Sequence, residues 1–227
     1  MKYAGRARKA AFKIILFTLI ILAVLAVTAV LGTVLAAVTV PVLVIVAGVI
    51  WVLFSIFTLY FFRDPKPTVP PEPNVVVSPA HGKVDVIDTT SEAAFMGGEC
   101  QRVSIFLSVF DVHVQNAPVS GRVDFFKYTT GQFLNAMRTD SATHNENVLL
   151  GFQAEGPRKI GVRLIAGVIA RRIVPFVQQG EQVSRGDRIS LIQFGSRADV
   201  YLPANAKIRV QLGDHVVGGQ SILAALE

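Results

Sequence analysis

Hydropathy, proline placement and two internal repeats together predict a mainly β, pseudo-symmetric sandwich or barrel preceded by a two-helix transmembrane hairpin. From Phe12 to Phe62 the only charged residue is Lys13. Five prolines then fall within Asp64–Asn74, a density that stops a helix and favours stiff, extended backbone. Beyond them come short β-branched runs punctuated by glycine, the pattern of strand, turn and strand. The chain divides accordingly into a basic N-terminus with membrane helices (1–62), a proline-rich linker (63–74) and a β domain (75–227).

The apolar segment accounts for the chain's 52% hydrophobic residues and mean hydropathy of +0.50. A bilayer core needs about 20 apolar residues per helical crossing, so the segment suffices for two. Gly32-Thr33 and Thr39-Val40-Pro41 are the natural turn sites, giving helices near 13–35 and 41–62. A cleaved signal peptide is disfavoured, because its apolar region runs to only about 7–15 residues. Lys2, Arg6, Arg8, Lys9 and Lys13 precede the first helix, and Arg63 and Lys66 follow the second. Basic flanks on both sides put both ends in the cytoplasm, with the β domain held at the inner face of the cell membrane. A single tilted helix with a re-entrant piece stays open as the alternative. Trp51 and Tyr60 read either as interfacial anchors or as packing residues.

Residues 63–227 carry 17 basic and 16 acidic side chains, so the net charge of +6 belongs to the membrane flank and argues against nucleic acid as a partner. One cysteine, Cys100, excludes an intrachain disulfide and a CxxC metal site and fits a reducing compartment. No metal-ligand constellation is visible.

Two echoes organise the β domain. "SPAHGKVDVID" (78–88) and "APVSGRVDFFK" (117–127) share Pro-x-x-Gly-Lys/Arg-Val-Asp at an offset of 39. "VQQGEQVSRGDRI" (177–189) and "VQLGDHVVGGQSI" (210–222) share Val-x-x-Gly-acid-x-Val-x-x-Gly-x-x-Ile at an offset of 33. Paired turns of this kind resemble the hybrid motif of lipoyl and biotinyl domains. A carrier of that type would present a lysine at a hairpin tip, whereas the tip expected here is Gly195-Ser196-Arg197. "TGQFLNA" (130–136) supports at most a short helix.

Gly195-Ser196 is either a plain turn or a reactive bond. "FGSRADV" lacks the Gly-x-Ser-x-Gly of a serine-hydrolase elbow. A serine can instead attack the carbonyl before it, and glycine at 195 leaves that carbonyl unhindered. Ester formation, β-elimination and hydrolysis would then leave a pyruvoyl group on a new chain starting at 196.

"FFRDP" (61–65), the "SPAHGKV" start, "FLSVFDVHVQNAPVSG" (106–121), "GVIARRIV" (167–174) and "FGSRADVYLP" (194–203) occur in one order that resembles the short-form phosphatidylserine decarboxylases over residues 61–227. That resemblance implies a proenzyme cut at Gly195-Ser196 into a β chain (1–195) and an α chain (196–227). The self-derived pyruvoyl at Ser196 would take the amine of a phospholipid's serine headgroup as a Schiff base and act as electron sink while CO2 leaves, yielding phosphatidylethanolamine. By the same resemblance His113 is the general acid, and Asp111 orients it or caps a turn. Arg197, Asn145 and Glu146 are expected on the substrate side. Asn116 receives no catalytic role, His144 lies in a matching segment, and His215 reads as a solvated turn residue. The partners implied are the membrane phospholipid and the two fragments of one precursor, with a homodimer left open.

One position departs from the family pattern: His81 stands where the family has an aspartate in Ser-Pro-Ala-Asp-Gly. That aspartate belongs to the triad proposed to drive processing, much as a carboxylate serves a protease histidine. His81 is therefore expected to be the base for Ser196, or to pair with Asp85 or Asp111, or to leave processing slow or absent. Ether-linked archaetidylserine as substrate and a non-processing, lipid-binding paralogue are the alternative readings.

Overall fold

The computed structural model describes residues 5–31, 39–132, 145–167, 172–193 and 196–226. Two compact units result, Gly5–Asp64 and the β unit from Pro65 onward.

The first unit is a pair of apolar helices, α1 (Arg6–Leu31) and α2 (Thr39–Phe61), each long and apolar enough to cross a membrane. α1 starts earlier than hydropathy suggests, because Arg and Lys are good helix formers and extend it into the basic flank. The expected turn at Gly32-Thr33 lies outside the described residues. Trp51 Nε1 donates to Thr18 Oγ1 at 3.0 Å across the two helices, so this indole is a packing residue with a satisfied N–H.

The second unit is β throughout its described residues. Its strands are β1 (Val75–Val77), β2 (Gly82–Glu92), β3 (Gly98–Leu107), β4 (Val114–Asn116), β5 (Gly121–Thr129), β6 (Asn147–Gln153) and β7 (Lys159–Ala166). There follow β8 (Arg172–Pro175), β9 (Gln182–Val183), β10 (Arg188–Gln193), β11 (Ser196–Leu202), β12 (Lys207–Ile208), β13 (His215–Val216) and β14 (Ile222–Ala225). A curled eight-stranded antiparallel sheet runs β13-β2-β3-β11-β7-β6-β5-β9. Two three-stranded sheets, β1-β14-β12 and β4-β10-β8, accompany it. Val103, Ile105, Val148, Leu150, Val162, Leu164, Ala198 and Val200 fill the core from one face of the large sheet.

The repeats are a structural two-fold. Gly82 and Gly121 open β2 and β5 with φ of 148° and 155°, and a Cβ on either would strike the carbonyl oxygen of Phe106 or Gln153. Gly82 pairs with Val216 and Gly121 with Val183, so each copy of the first repeat is closed by a copy of the second. Backbone bonds repeat with the same offsets: Val84 N to Asp214 O at 2.8 Å, and Val123 N to Glu181 O at 2.9 Å. One lobe is thus β4 through β10 in unbroken order. The other is β1, β2, β3, β11, β12, β13 and β14, interrupted by the first.

That interruption corrects the hairpin expected around Gly195-Ser196. β10 pairs with β4 and β8, while β11 pairs with β3 and β7, so the two strands flanking the bond lie in different sheets. In the unbroken lobe, β6 and β7 form a simple hairpin. In the other lobe the equivalent hairpin, β3 to β11, is split open to admit seven strands.

The proline-rich stretch does not hang free. Arg185 donates to the carbonyls of Glu72 (2.9 Å), Pro70 (2.6 Å) and Val75 (3.3 Å), and Pro67 packs where a Cβ on Gly219 would fall.

Candidate active site

Ser196 is the first residue of β11, fully buried and hydrogen-bonded into the ladder between Leu107 of β3 and Ala166 of β7. Side chains alternate along a strand, so Ser196 shares a face with Ala198, Val200 and Leu202, all core residues. Its Oγ has no hydrogen-bond partner among the described residues. A buried hydroxyl without a partner costs about 1–3 kcal/mol, a cost that Ser104 and Ser190 carry as well. Gly195 lies outside the described residues, as does His144.

His113 is fully buried immediately before β4, on the segment that leaves the split hairpin. Its Nδ1 lies 2.9 Å from the backbone carbonyl of Asp111. A carbonyl only accepts, so Nδ1 carries the proton and Nε2 the lone pair. The orienting group is thus the Asp111 main chain. The Asp111 carboxylate is committed elsewhere: Oδ2 accepts from Ser108 N (2.8 Å) and Ser108 Oγ (2.7 Å), and Oδ1 lies 3.1 Å from His215 Nε2. It caps a turn and ties His215 to it.

His81 is partly buried and immediately precedes Gly82. Since Lys83 pairs with Phe106, Gly82 stands opposite Leu107, the residue paired with Ser196. A side chain at position 218 would strike Asn116 Oδ1 and His81 Cδ2, so glycine there lets both flank one stretch of backbone. The two acids expected near His81 have other partners, Asp111 as above and Asp85 in an ion pair with Arg197.

Arg197, expected to face substrate, points to the opposite side of the sheet and is 3% exposed. Its guanidinium bridges Asp85 (2.9 Å) and the fully buried Asp199 (3.1 Å). Burial pushes the Asp85 carboxyl up; Arg197 opposes that, Asp199 adds to it, and the net shift is upward. Asp199 was not singled out by the sequence, where it reads as one charged residue in a strand. Only the register, which sets it beside Ser104 and Arg163, shows it to be interior.

Asn145 and Glu146 both bond to the neighbouring strand at Ala166. Asn145 donates to the carbonyl of Ala166 at 2.7 Å, the residue paired with Ser196. Glu146 O accepts from Ala166 N at 3.0 Å, and the Glu146 side chain is 9% exposed with Oε1 unpartnered among the described residues. Tyr128 belongs to the same cluster: burial and then a hydrogen bond to the Glu146 carboxylate push its phenol up to about 12.

Ser196 thus opens a central strand with its hydroxyl buried and unpartnered among the described residues, and His113 precedes β4 with its ring fixed by a main-chain carbonyl. A family model described as phosphatidylserine decarboxylase matches residues 54–224. The chain belongs to the phosphatidylserine decarboxylase family. A phosphatidylserine decarboxylase proenzyme of Desulfotalea psychrophila is 43% identical over 177 residues, covering 78% of this chain and 83% of the relative. One from Symbiobacterium thermophilum is 41% identical over 179 residues (79% and 83%), and one from Burkholderia ambifaria is 40% identical over 181 residues (80% and 84%). Phosphatidylserine decarboxylases are carboxy-lyases, and this chain is an enzyme of that kind.

Proposed function

We propose that this chain is a phosphatidylserine decarboxylase, made as a proenzyme that cuts itself at Gly195-Ser196 and converts Ser196 into a pyruvoyl group. The observation that carries the reading is the orphaned, fully buried Ser196 Oγ at the head of β11, in a chain similar to proenzymes of that name. Residue 196 suits the group: its flanks in the ladder, Leu107 and Ala166, hold the backbone from both sides, and no described residue competes for the side-chain position.

In the cut, Ser196 Oγ loses its proton and bonds to the carbonyl carbon of Gly195, and the peptide nitrogen leaves as an amine. Loss of the Ser196 Cα proton then breaks the Cβ–Oγ bond and frees the Gly195 carboxylate. Water replaces the nitrogen, which departs as ammonia. His81, beside the strand that pairs through Leu107 to Ser196, is the base for the first proton.

Once formed, a pyruvoyl group supplies a carbonyl that condenses with a primary amine and takes up the electron pair freed as CO2 leaves. The chain supplies the rest. Its buried strands exclude water, and His113, its ring held by the Asp111 carbonyl, takes up a proton at Nε2 and delivers it to the former α-carbon. The product is phosphatidylethanolamine. The apolar helices keep the domain at the membrane, on the cytoplasmic side by the distribution of basic flanks.

Denaturing electrophoresis with intact-mass analysis tests the reading. The enzyme should run as two fragments, the smaller beginning with a pyruvoyl at 196, and Ser196→Ala should leave one chain. A single 24.5 kDa species from decarboxylating membranes would refute self-processing.

A further inference from the structure

The strand register places a second functional group opposite Ser196. Asn147 pairs with Ile165, so Glu146 stands opposite Ala166, and Ala166 stands opposite Ser196. Glu146, Ala166, Ser196 and Leu107 thus form one row across adjoining strands. The phase of each strand puts Glu146 with Val148 and Leu150, and Ser196 with Ala198 and Val200, on the same core-lining face. Neighbouring strands are about 4.8 Å apart, so the two Cα atoms are about 10 Å apart with a single methyl, that of Ala166, between them.

Both ends of this gap are unsatisfied. Ser196 Oγ and Glu146 Oε1 are buried without a hydrogen-bond partner among the described residues. Glu146 is held through its backbone, whose N–H donates to Gln132 O at 3.0 Å and whose carbonyl accepts from Ala166 N, while Tyr128 bonds to the carboxylate. A buried carboxylate with one open oxygen is costly, and a cationic donor relieves that cost.

We propose that Glu146 is the receptor for the substrate's primary ammonium, holding it over the Ala166 methyl against residue 196. The carboxylate accepts N–H hydrogen bonds from the ammonium and aims its nitrogen at the carbonyl carbon derived from Ser196. The inference rests on the proposed decarboxylase reading and gives Glu146 a role separate from the cut itself.

Calorimetric binding to full-length protein tests it without turnover. In a Ser196→Ala background, which cannot be processed, dihexanoyl phosphatidylserine is titrated against dihexanoyl phosphatidylglycerol, which has no amine. The amine lipid should bind more tightly. Adding Glu146→Gln should reduce that preference by about tenfold to a hundredfold, the loss expected for a buried charged hydrogen bond, with Glu146→Asp recovering part of it. Unchanged phosphatidylglycerol binding shows that the variant is folded. In the otherwise wild-type chain, Glu146→Gln should self-cleave at the normal rate while KM for phosphatidylserine rises. An unchanged amine preference, or arrested cleavage, overturns the proposal. Failure of the wild-type enzyme to release CO2 would instead refute the decarboxylase reading, leaving the binding result to be judged alone.

Discussion

Arg197 adjoins Ser196 yet serves the opposite face, and its removal gives a quantitative test. Arg197→Met leaves Asp199, fully buried, without its 3.1 Å guanidinium partner, and Asp85 without its 2.9 Å one. Removing one member of a buried pair costs about 3–5 kcal/mol, because the remaining charge stays desolvated. For a domain of this size that is a fall in Tm of about 6–20 °C. Asp199→Asn in the same chain removes the stranded charge, and most of the loss should return; the cross-strand neighbour Arg163 limits how completely. The measurement is a double-mutant cycle by thermal unfolding in detergent, run in the Ser196→Ala background so that processing cannot change the species. A substrate-binding Arg197 would give a different pattern: little change in Tm, a raised KM and no rescue by Asp199→Asn. That outcome would refute the structural role.

Four further outcomes follow from the same geometry. His81→Ala should slow the appearance of the two fragments on denaturing gels; processing at the normal rate would remove His81 as the base. His113→Gln, which cannot relay a proton, should lower kcat by about a hundredfold to ten-thousandfold in a CO2-release assay while Tm stays within a few degrees of wild type. Gly82→Ala and Gly121→Ala should each destabilise the fold by about 2 kcal/mol or more, seen as lower Tm, since both the positive φ and a neighbouring carbonyl forbid a Cβ. The fourth concerns acid. Burial alone would raise the Glu92 carboxyl, but three backbone N–H groups (Ala94, Phe95, Met96) and Arg163 outweigh it and hold the group below its ordinary 4.5. A lowered carboxyl stabilises the fold above its unfolded value, and the gain disappears as pH falls through the folded one. The Tm advantage of wild type over Glu92→Gln should therefore be full at pH 7 and shrink below about pH 4.5.

Much of this was legible in the chain. The offsets of 39 and 33 between repeated phrases are the offsets that relate Gly82 to Gly121 and Val183 to Val216 in space. Repeats survive in sequence where backbone geometry tolerates only glycine, so turns announce symmetry even when strands do not. The fifty apolar residues likewise announced two helices, since no water-soluble core requires such a run. The interleaving of the lobes was not legible. Local phrases say which segments are equivalent and nothing about which strand each one pairs with, so Gly195-Ser196 looked like a hairpin tip. The partners of charged residues were hidden for the same reason. Arg197 and Asp199 are two apart in sequence, but their burial depends on β3 and β7 closing over β11. Asp111 lies two residues from His113, which suggested a carboxylate–imidazole pair, yet a tight turn at Ser108 takes the carboxylate and leaves the main chain to the ring.

On the proposed self-processing, the split hairpin bears on when the chain is cut. Residues 196–226 supply β11 to the middle of the large sheet, between β3 and β7 from before the bond, and β14 to a small one, where it pairs with β1 from before the bond and β12 from after it. A chain severed early, before β3 and β7 had captured β11, would lose its C-terminal piece to diffusion, and no later step could rejoin it. Severed late, the piece is trapped by strand pairing on both sides and leaves only if the whole sheet opens. Appearance of the small fragment is therefore a one-way timestamp of completed assembly. A processed molecule that is once fully denatured must find its other half by collision, so its recovery should depend on protein concentration where that of the uncut precursor does not.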